Sequence, residues 1–490
     1  MQSSFSNMCR KAEERDALKC DRSLDAFFNP SSVAVIGATE TLGFGHAPTK
    51  NILSHPKIKK FLVNVKGGKV MGVDVLRTVR ELPEGVDLAV IMVPSSSVID
   101  VVKECAEKGI RHVIIESAGF SETGDEGARL EREVVKIARA NGMRVIGPNC
   151  VGVVNTSNMF TTADVDVAVL VKGGVAFVAQ SGVFGTALVD RACSEGLGLS
   201  KVVTLGNKCD VDEIDLVEYL ADDEETKVIG LYVEGVKPRR GRRMIDVFRA
   251  ASAKKPILVL KSGRTEAGSK AVKSHTGSLA GSDKVFDAAV KQSGAIRVES
   301  IDELFYTAMV LASQPLPSDG DVAIITNSGS LGAMMCDELE LLGLKLAVLL
   351  PETVDKLRKV TPPWASCRNP VDVGPAIIES AIPAIEILGR DQNVGFIVMI
   401  FAIPGIVSSP RYFNADLTPF FEILGETASK TGKPTVTLGF GDERIIKMAE
   451  KGLGKSRIPV LRNLTLTAKA VASLYEYKKL KNKTDKNKSI

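Results

Sequence analysis

Short runs of apolar and β-branched residues, each ending in a glycine- or proline-containing turn, recur throughout the 490-residue chain. In the first part of the chain these runs are residues 33–36, 88–93, 112–115 and 145–146, and sequence of helical character follows them. Strands that are apolar on both faces and alternate with helices are typical of parallel sheets covered by helices on both sides. The pattern therefore predicts an α/β fold rather than a fibrous or disordered chain.

The alternation of strands and helices passes through three cycles, which agrees with a prior of roughly 100–200 residues per domain. The second cycle begins at Gly173 and Gly174, and the third begins after a polar linker at residues 314–320. The predicted organisation is an N-terminal extension (1–20), three domains (21–155, 170–315 and 320–477) and a basic tail (478–490).

Two turns echo each other in the second and third domains. Residues 180–185 read Gln-Ser-Gly-Val-Phe-Gly, and residues 327–332 read Asn-Ser-Gly-Ser-Leu-Gly. Both turns follow an apolar run and open a helical pattern, so we expect the two domains to share one flavodoxin-like, doubly wound plan.

Composition narrows the functional classes. The 63 basic and 59 acidic residues leave a net charge of only +4, which does not call for a nucleic-acid partner. None of the eight cysteines forms a Cys-x-x-Cys pair, which indicates a reducing compartment and no structural zinc. The N-terminus lacks the apolar centre of a signal peptide, and the longest apolar stretch, 394–407, is shorter than the ~20 residues of a membrane span. We therefore expect a cytoplasmic protein.

The first strand–helix turn, residues 37–45, is rich in glycine and places backbone N–H groups where a phosphate would be favoured. The next strand ends in Lys66 followed by two glycines, where an NAD-binding domain would carry an acidic residue for the ribose hydroxyls. This lysine favours a phosphorylated ribose, as in CoA or NADP. An ordinary surface turn is the alternative interpretation.

One of only four histidines, His275, lies in a segment of small and hydroxyl residues, 273–281. Such surroundings predict an exposed and movable imidazole, as a group carrier requires. Glu234 follows an apolar strand, where a carboxylate can fix the imidazole tautomer. Ser181 and Gly182 open a helix, whose N–H groups and dipole favour a phosphoryl group. The residues alone leave open that Glu234 is a surface charge and that Ser181 is only an N-cap.

Eight motifs in this order resemble the α subunit of succinyl-CoA synthetase and, more closely, the archaeal-type ADP-forming (NDP-forming) acyl-CoA synthetases. The resemblance runs from about residue 27 to 477. It rests on residues 35–38 (VIGA), 92–94 (MVP), 117–120 (SAGF), 147–152 (GPNCVG), 180–182 (QSG), 232–236 (YVEGV), 274–281 (SHTGSLAG) and 369–372 (NPVD).

The resemblance implies a Rossmann-like CoA-binding domain followed by two flavodoxin-like domains. It makes His275 the residue that carries phosphate, Glu234 the residue that orients it, and Ser181 with Gly182 the phosphate-binding helix start. It implies the following CoA-binding residues: Gly37, Ala38, Thr39, Gly43, Gly45, Lys66, Val93, Pro94, Ser117, Ala118 and Asn149.

The implied reaction converts acyl-CoA, ADP and phosphate reversibly into a carboxylic acid, CoA and ATP through an acyl phosphate and phosphohistidine. No segment of this chain resembles the ATP-grasp nucleotide domain. The resemblance therefore implies a β subunit that binds ADP or ATP with Mg²⁺, in an α2β2 assembly, and no metal site in this chain. The alternatives are a non-catalytic CoA-binding sensor or scaffold of the same fold, and an NADP-dependent oxidoreductase.

Overall fold

A computed structural model describes residues 22–276 and 281–488, with side chains for residues 24–272 and 281–486. The chain forms two compact units, one ending at Val298 and the other beginning at Glu299. The predicted N-terminal extension, residues 1–20, lies outside the described residues. Among the helices that are described, no segment is long and apolar enough to cross a membrane.

The first sheet has the strand order β3-β4-β2-β1-β5-β6-β7 and is parallel except for β3. From β4 to β7 this is the doubly wound order of dinucleotide-binding domains, which confirms the predicted Rossmann-like fold. The strands are β1 (Ser32–Ile36), β2 (Lys59–Val63), β3 (Lys69–Val70), β4 (Val73–Leu76), β5 (Leu88–Ile91), β6 (His112–Ile115) and β7 (Arg144–Ile146). The helices are α1 (His46–Ser54), α2 (Ser95–Glu107) and α3 (Asp125–Ala140).

The second sheet has the order β14-β13-β12-β10-β11-β8-β9. Its five parallel strands follow the flavodoxin order, and β8 and β9 extend it antiparallel beside β11. The strands are β8 (Val153–Asn155), β9 (Phe160–Thr161), β10 (Lys172–Ala179), β11 (Leu199–Thr204), β12 (Val228–Val233), β13 (Ile257–Lys261) and β14 (Ile296–Val298). The helices are α4 (Gly182–Ser194), α5 (Glu213–Asp222), α6 (Gly241–Ser252), α7 (Glu266–Thr276) and α8 (Asp283–Gln292).

The third sheet, in the second unit, has the order β16-β15-β17-β18-β19 and is parallel throughout. This is again the flavodoxin order, so the predicted fold class is confirmed. The strands are β15 (Asp321–Thr326), β16 (Val371–Asp372), β17 (Val394–Phe401), β18 (Thr435–Gly439) and β19 (Val460–Leu461). The helices are α9 (Ile301–Ser313), α10 (Gly329–Leu341), α11 (Pro351–Val360), α12 (Ile377–Gly389), α13 (Thr418–Lys430), α14 (Glu443–Gly454) and α15 (Leu464–Lys488).

The first two sheets share one apolar core. A continuous cluster of buried side chains runs from Val33 and Ile146, on the first sheet, to Val178 and Val203, on the second. Burial of this apolar surface is the main force that joins the two sheets. The chain also crosses between them, because β8 pairs with β11 although the predicted first domain extended to residue 155.

The second unit differs from the predicted ranges at both of its ends. The predicted second domain ended at residue 315, but α9 packs against α15 and belongs to the second unit. Lys469 of α15 forms an ion pair of 2.9 Å with Glu303 of α9. The predicted basic tail, 478–490, is helical through Lys488, and its first lysine, Lys478, donates a hydrogen bond to the carbonyl of Ser318.

The register of the first sheet aligns the carboxyl ends of its central strands. Ile36 at the end of β1 pairs with Val63 of β2 and Ile91 of β5, and Ile91 pairs with Ile115 of β6. Neighbouring parallel strands that end in register place the following turns side by side, which is where ligands bind in such sheets.

At Gly37 two of these turns approach each other closely. Its φ is +95°, and a Cβ added there would lie 2.5 Å from the carbonyl oxygen of Met92. We therefore expect Gly37→Ala to lower the free energy of unfolding by about 2–5 kcal/mol, through backbone strain and steric overlap. Urea denaturation followed by circular dichroism measures this loss.

Gly85→Ala is the matched control, because Gly85 also has a positive φ, +78°, but no atom lies within 4 Å of an added Cβ. We expect it to lose only about 1–2 kcal/mol from backbone strain. Equal losses in the two variants would contradict the close packing of Gly37 against Met92.

Candidate functional site

The residues predicted to bind CoA all lie in turns at the carboxyl ends of β1, β2, β5, β6 and β7. Gly37, Ala38, Thr39, Gly43 and Gly45 form the turn between β1 and α1, where Gly45 caps the helix. The other residues follow four further strands: Lys66 after β2, Val93 and Pro94 after β5, Ser117 and Ala118 after β6, and Asn149 after β7.

Hydrogen bonds connect these turns to one another. The backbone N–H of Asn149 donates to the carbonyl of Ser117 at 2.9 Å, and the Ser117 hydroxyl donates to the carbonyl of Val93 at 2.5 Å. Asn64 donates its side-chain amide to the carbonyl of Ala38 and accepts the N–H of Lys66, both at 3.0 Å. One connected edge of the first sheet thus presents the predicted CoA-binding residues.

The predicted phosphate-binding residues open helix α4. Ser181 is the N-cap, and its hydroxyl accepts a 3.5 Å hydrogen bond from the N–H of Phe184. A Cβ added to Gly182 would lie 2.5 Å from Cγ2 of Val151, so glycine lets the turn after β7 approach the start of this helix. The first N–H groups of a helix and its dipole favour an anion.

Glu234 lies beside the start of α4 and is buried. Its backbone N–H donates a 2.9 Å hydrogen bond to Oε1 of Gln180, the residue immediately before Ser181. The Tyr232 hydroxyl lies 3.5 Å from Oε1 of Glu234, and the Tyr232 ring stacks on Phe184 of α4. The structure thus brings together the turns that carry two of the predicted functional groups, Glu234 and Ser181 with Gly182.

A cleft of about 380 Å³ joins the two sets of residues. On its first side it is lined by residues from the edge of the first sheet, including Ala118 and Asn149. On its other side it is lined by Gln180, Ser181 and Gly182. The cleft therefore lies between the predicted thiol end of CoA and the predicted phosphate-binding helix.

His275 lies in the last turn of helix α7, and its side chain is outside those that the structure describes. The sequence analysis expected the small-residue segment 273–281 to carry a movable imidazole. Its backbone is helical through Thr276, and residues 277–280 are outside the described part. Helix α7 lies against the 3₁₀ turn Ser121–Thr123, which follows β6. The helix that ends with the predicted phosphate carrier thus contacts a turn at the edge of the first sheet.

The two echoing glycine turns differ in what lies at the start of their helices. A Cβ added to Gly329, at the start of α10, would lie 2.9 Å from a carboxylate oxygen of Asp372. The negative charge of Asp372 is thus already placed near this helix dipole. The start of α4 instead faces the cleft.

Glu116 is a site residue that the sequence analysis missed. It follows β6, lines the cleft and is buried, and its Oε1 has no hydrogen-bond partner among the described residues. Burial, and then the nearby charge of Asp164, raise the pKa of the Glu116 carboxyl well above its usual value. The available signal was a glutamate directly after an apolar strand, the same signal that marked Glu234.

Cys150 also lines the cleft, and its thiol lies 3.4 Å from the carbonyl of Ile115. Burial, and then the charge of Glu116, raise the pKa of the Cys150 thiol well above its usual value. Because the thiolate is the reactive form, a thiol with such a pKa is a poor nucleophile. The cleft can therefore bind a thioester without offering a competing enzyme thiolate.

The raised pKa of Glu116 predicts a pH dependence of stability. The folded chain keeps a proton on this carboxyl that the unfolded chain releases above the ordinary glutamate pKa. Stability should therefore fall as pH rises from about 5 toward the folded pKa, with a slope of up to about 1.4 kcal/mol per pH unit. Glu116→Gln should lose this slope in urea denaturation measured across that range.

Asp164→Asn is the control for this prediction. It removes a negative charge that raises the pKa of Glu116. The pH range over which stability falls should therefore end at a lower pH than in the wild type. Parallel stability curves for the wild type and Glu116→Gln would contradict a protonated Glu116.

Two family models match the chain. A CoA-binding domain matches residues 31–156, and a succinyl-CoA-ligase-like flavodoxin domain matches residues 172–311. The first range covers the first sheet and β8, and the second covers β10 to β14 and most of α9. They agree with the motifs that suggested a CoA-binding domain followed by a flavodoxin-like domain.

Curated relatives and a solved structure match most of the chain. The α subunit of ADP-forming acetate–CoA ligase II of Pyrococcus furiosus is 42% identical over 87% of this chain and 93% of the relative. The ADP-forming acetate–CoA ligase II of Archaeoglobus fulgidus is 39% identical over 92% of this chain and 66% of the relative.

The solved structure is the dinucleotide forming acetyl-coenzyme A synthetase 1 of Ca. Korarchaeum cryptofilum in complex with phosphate and ADP. It superposes with a TM-score of 0.86 at 31% identity, over 95% of this chain and 98% of that one. These matches confirm the resemblance found in the motifs. The chain belongs to the family of ADP-forming acetate–CoA ligase α subunits.

Proposed function

We propose that this chain is the α subunit of an ADP-forming acyl-CoA synthetase, which converts acyl-CoA, ADP and phosphate reversibly into a carboxylic acid, CoA and ATP. The observation that carries the proposal is the cleft between Asn149, at the edge of the first sheet, and Gly182, at the start of α4. A thioester and a phosphate bound on these two sides would meet within one compact unit. In this proposal the first unit, which ends at Val298, contains the CoA and phosphohistidine domains, and the second unit is the third domain.

The first-sheet edge binds CoA in this proposal. The glycine turn between β1 and α1 receives the diphosphate, and Lys66 pairs with the phosphate on the ribose. CoA then passes along the turns that carry Val93, Pro94, Ser117 and Ala118. Its thiol end lies at Asn149. CoA is a substrate here, since its thiol forms and loses the acyl bond.

The first chemical step joins phosphate to the acyl group. A phosphate oxygen attacks the carbonyl carbon of the thioester, the carbon–sulfur bond breaks, and CoA leaves as the thiolate. The products are an acyl phosphate and free CoA. The backbone N–H groups at Ser181 and Gly182, with the dipole of α4, hold the phosphate against the thioester.

The second step transfers the phosphoryl group to His275. One imidazole nitrogen attacks phosphorus, and the bond from phosphorus to the acyl oxygen breaks, so that the carboxylate leaves. Glu234 accepts a hydrogen bond from the other imidazole nitrogen and stabilises its positive charge. Gln180 supports this arrangement, because it binds the N–H of Glu234 and directly precedes Ser181.

The last step takes place on a partner subunit. Two relatives named as α subunits of acetate–CoA ligases match this chain over 93% and 99% of their length, whereas about one third of a relative without a subunit name lies outside the match. We propose that an ATP-grasp β subunit binds ADP with Mg²⁺ and accepts the phosphoryl group in an α2β2 assembly. In the part of the chain that the structure describes, no three acidic, cysteine or histidine side chains form a metal-binding group.

The buried cysteine thiols of the described residues carry no disulfide, which favours a reducing, cytoplasmic setting for this reaction.

His275→Ala should abolish ATP formation from acyl-CoA, ADP and phosphate by the complete αβ enzyme, because no other group then carries the phosphoryl. The variant should also lose acid-labile phosphate after incubation with acetyl-CoA and labelled phosphate, while its CoA affinity stays within about twofold of wild type. Lys270→Ala, on the exposed side of the same helix, is the control and should keep full activity.

ATP formation at the normal rate by His275→Ala would exclude the carrier role. A wild-type chain that binds CoA but neither incorporates phosphate nor forms ATP with its partner would instead support the sensor or scaffold alternative.

Lys66→Ala should weaken CoA binding about tenfold, because a charge-assisted hydrogen bond to the ribose phosphate is lost. Dephospho-CoA lacks that phosphate, so its affinity should be the same for the variant and the wild type. Isothermal titration with CoA, dephospho-CoA and NADP measures all three affinities. Tighter binding of NADP than of CoA would favour the oxidoreductase alternative.

A further inference from the structure

Lys208 is a buried lysine beside the turn that carries Glu234. It lies in the turn between β11 and α5, and its ammonium donates to Oε2 of Glu213 at 2.7 Å and to the carbonyl of Gly235 at 2.5 Å. Both side chains of this ion pair are almost fully buried. Gly235 directly follows Glu234, so the ammonium of Lys208 holds the backbone at the proposed orienting residue.

The backbone of Lys208 is in the left-handed region, with φ +48°. Side chains with a Cβ rarely adopt this conformation, and a glycine or asparagine would be favoured there. A lysine at such a position costs conformational energy, which points to a requirement for its ammonium group.

The ion pair itself does not explain the lysine as a stabilising residue. Burying two charges costs much of what their attraction returns, and a pair of apolar side chains would often serve stability as well. The second oxygen of Glu213, Oε1, also lacks a hydrogen-bond partner among the described side chains and backbone groups. What the ion pair adds is a fixed position for the Lys208 ammonium, because Glu213 holds it against the carbonyl of Gly235.

A second lysine connects the same two turns, but it lies in the turn after β12 and donates to the turn after β11. Lys237 donates to the carbonyls of Cys209 and Asp210 at 2.9 and 3.3 Å. Lys208 thus links the turn after β11 to the turn after β12, and Lys237 links the turn after β12 to the turn after β11. Glu234 lies in the turn after β12.

The turn that carries Lys208 is in turn attached to the first sheet. The N–H of Asn207 donates to the carbonyl of Pro148, and its side-chain amide donates to Glu122 and Glu131 at 2.6 and 2.9 Å. The amide of Asn149 lies 3.4 Å from the side-chain oxygen of Asn207. Lys208 thus lies between the proposed thiol end of the CoA site and the turn of Glu234.

We infer that Lys208 is a positioning residue for Glu234: its hydrogen bond to Gly235, anchored by Glu213, sets the carboxylate that orients His275. This inference rests on the proposed function, since it gives Lys208 a role through that phosphoryl transfer. Lys208 is not among the residues that line the cleft, so its removal should slow phosphorylation of His275 without weakening CoA binding.

The test is the initial rate at which the full chain incorporates acid-labile phosphate from acetyl-CoA and labelled phosphate. Lys208→Met alone leaves Glu213 as an uncompensated buried charge and risks misfolding, so the key variant is Lys208→Met combined with Glu213→Met. This double variant should fold, as judged by its thermal midpoint, and should phosphorylate about 10- to 100-fold more slowly. Its CoA dissociation constant should change by less than about twofold.

The matched control is Lys172→Met combined with Glu225→Met. This pair is 3.5 Å apart, about half exposed, and Lys172 begins β10, a strand of the same sheet. The control should keep the wild-type rate.

A double-mutant cycle separates positioning from general damage. In a Glu234→Gln background, the Lys208 and Glu213 changes should add less than about a twofold loss, because they act through Glu234. A wild-type rate in the double variant, or the same fold loss with and without Glu234, would overturn the inference alone. A wild-type chain that takes up no phosphate would overturn the proposed function, and this inference with it.

Discussion

The site depends on the backbone pairing between residues 145–149, at the end of the first sheet, and residues 207–211, after β11 of the second. The N–H groups of Asn207, Cys209 and Val211 donate to the carbonyls of Pro148, Gly147 and Val145 at 2.9–3.1 Å. Gly206 makes this approach possible, because a Cβ there would lie 2.2 Å from the carbonyl oxygen of Pro148. The two sides of the cleft are thus joined by backbone, whose geometry varies less than that of long side chains.

The polar side chains beside this backbone pairing form hydrogen bonds with one another. Arg144 donates to Asp210 and Asp215 at 2.9 and 3.2 Å, and the N–H of Val145 also donates to Asp210. Unpaired groups would be costly in such a partly buried place, so the network favours one arrangement of the two sheets. A fixed arrangement matters for phosphoryl transfer, since catalysis there consists mainly of positioning and charge stabilisation. Residues 207–211 also include Lys208, which donates to the carbonyl of Gly235, next to Glu234. The same backbone pairing therefore helps to position both the proposed CoA site and the residue proposed to orient His275.

The sequence predicted most of the fold, because strands that are apolar on both faces mark parallel sheets directly. It also singled out Glu234 and Ser181, and the structure shows that the turns carrying them are adjacent. Glu116 and Lys208 were missed because their burial arises where two sheets meet, and local patterns do not record that contact. The place of α9 depends on packing against α15, more than 150 residues later. The lysine-rich end of α15 was predicted as a basic tail, because its contact with Ser318 is also distant in sequence.

The central claim is that phosphate attacks the acyl thioester in the cleft and that His275 then takes the phosphoryl group. Phosphate labelled with ¹⁸O in all its oxygens tests this claim directly when the complete enzyme turns over acetyl-CoA and ADP in unlabelled water. The attacking oxygen stays with the acyl group when the phosphorus–oxygen bond breaks, so mass spectrometry should find one labelled oxygen in each acetate formed. Acetate without label would show that its new oxygen came from water, and would contradict the acyl phosphate route.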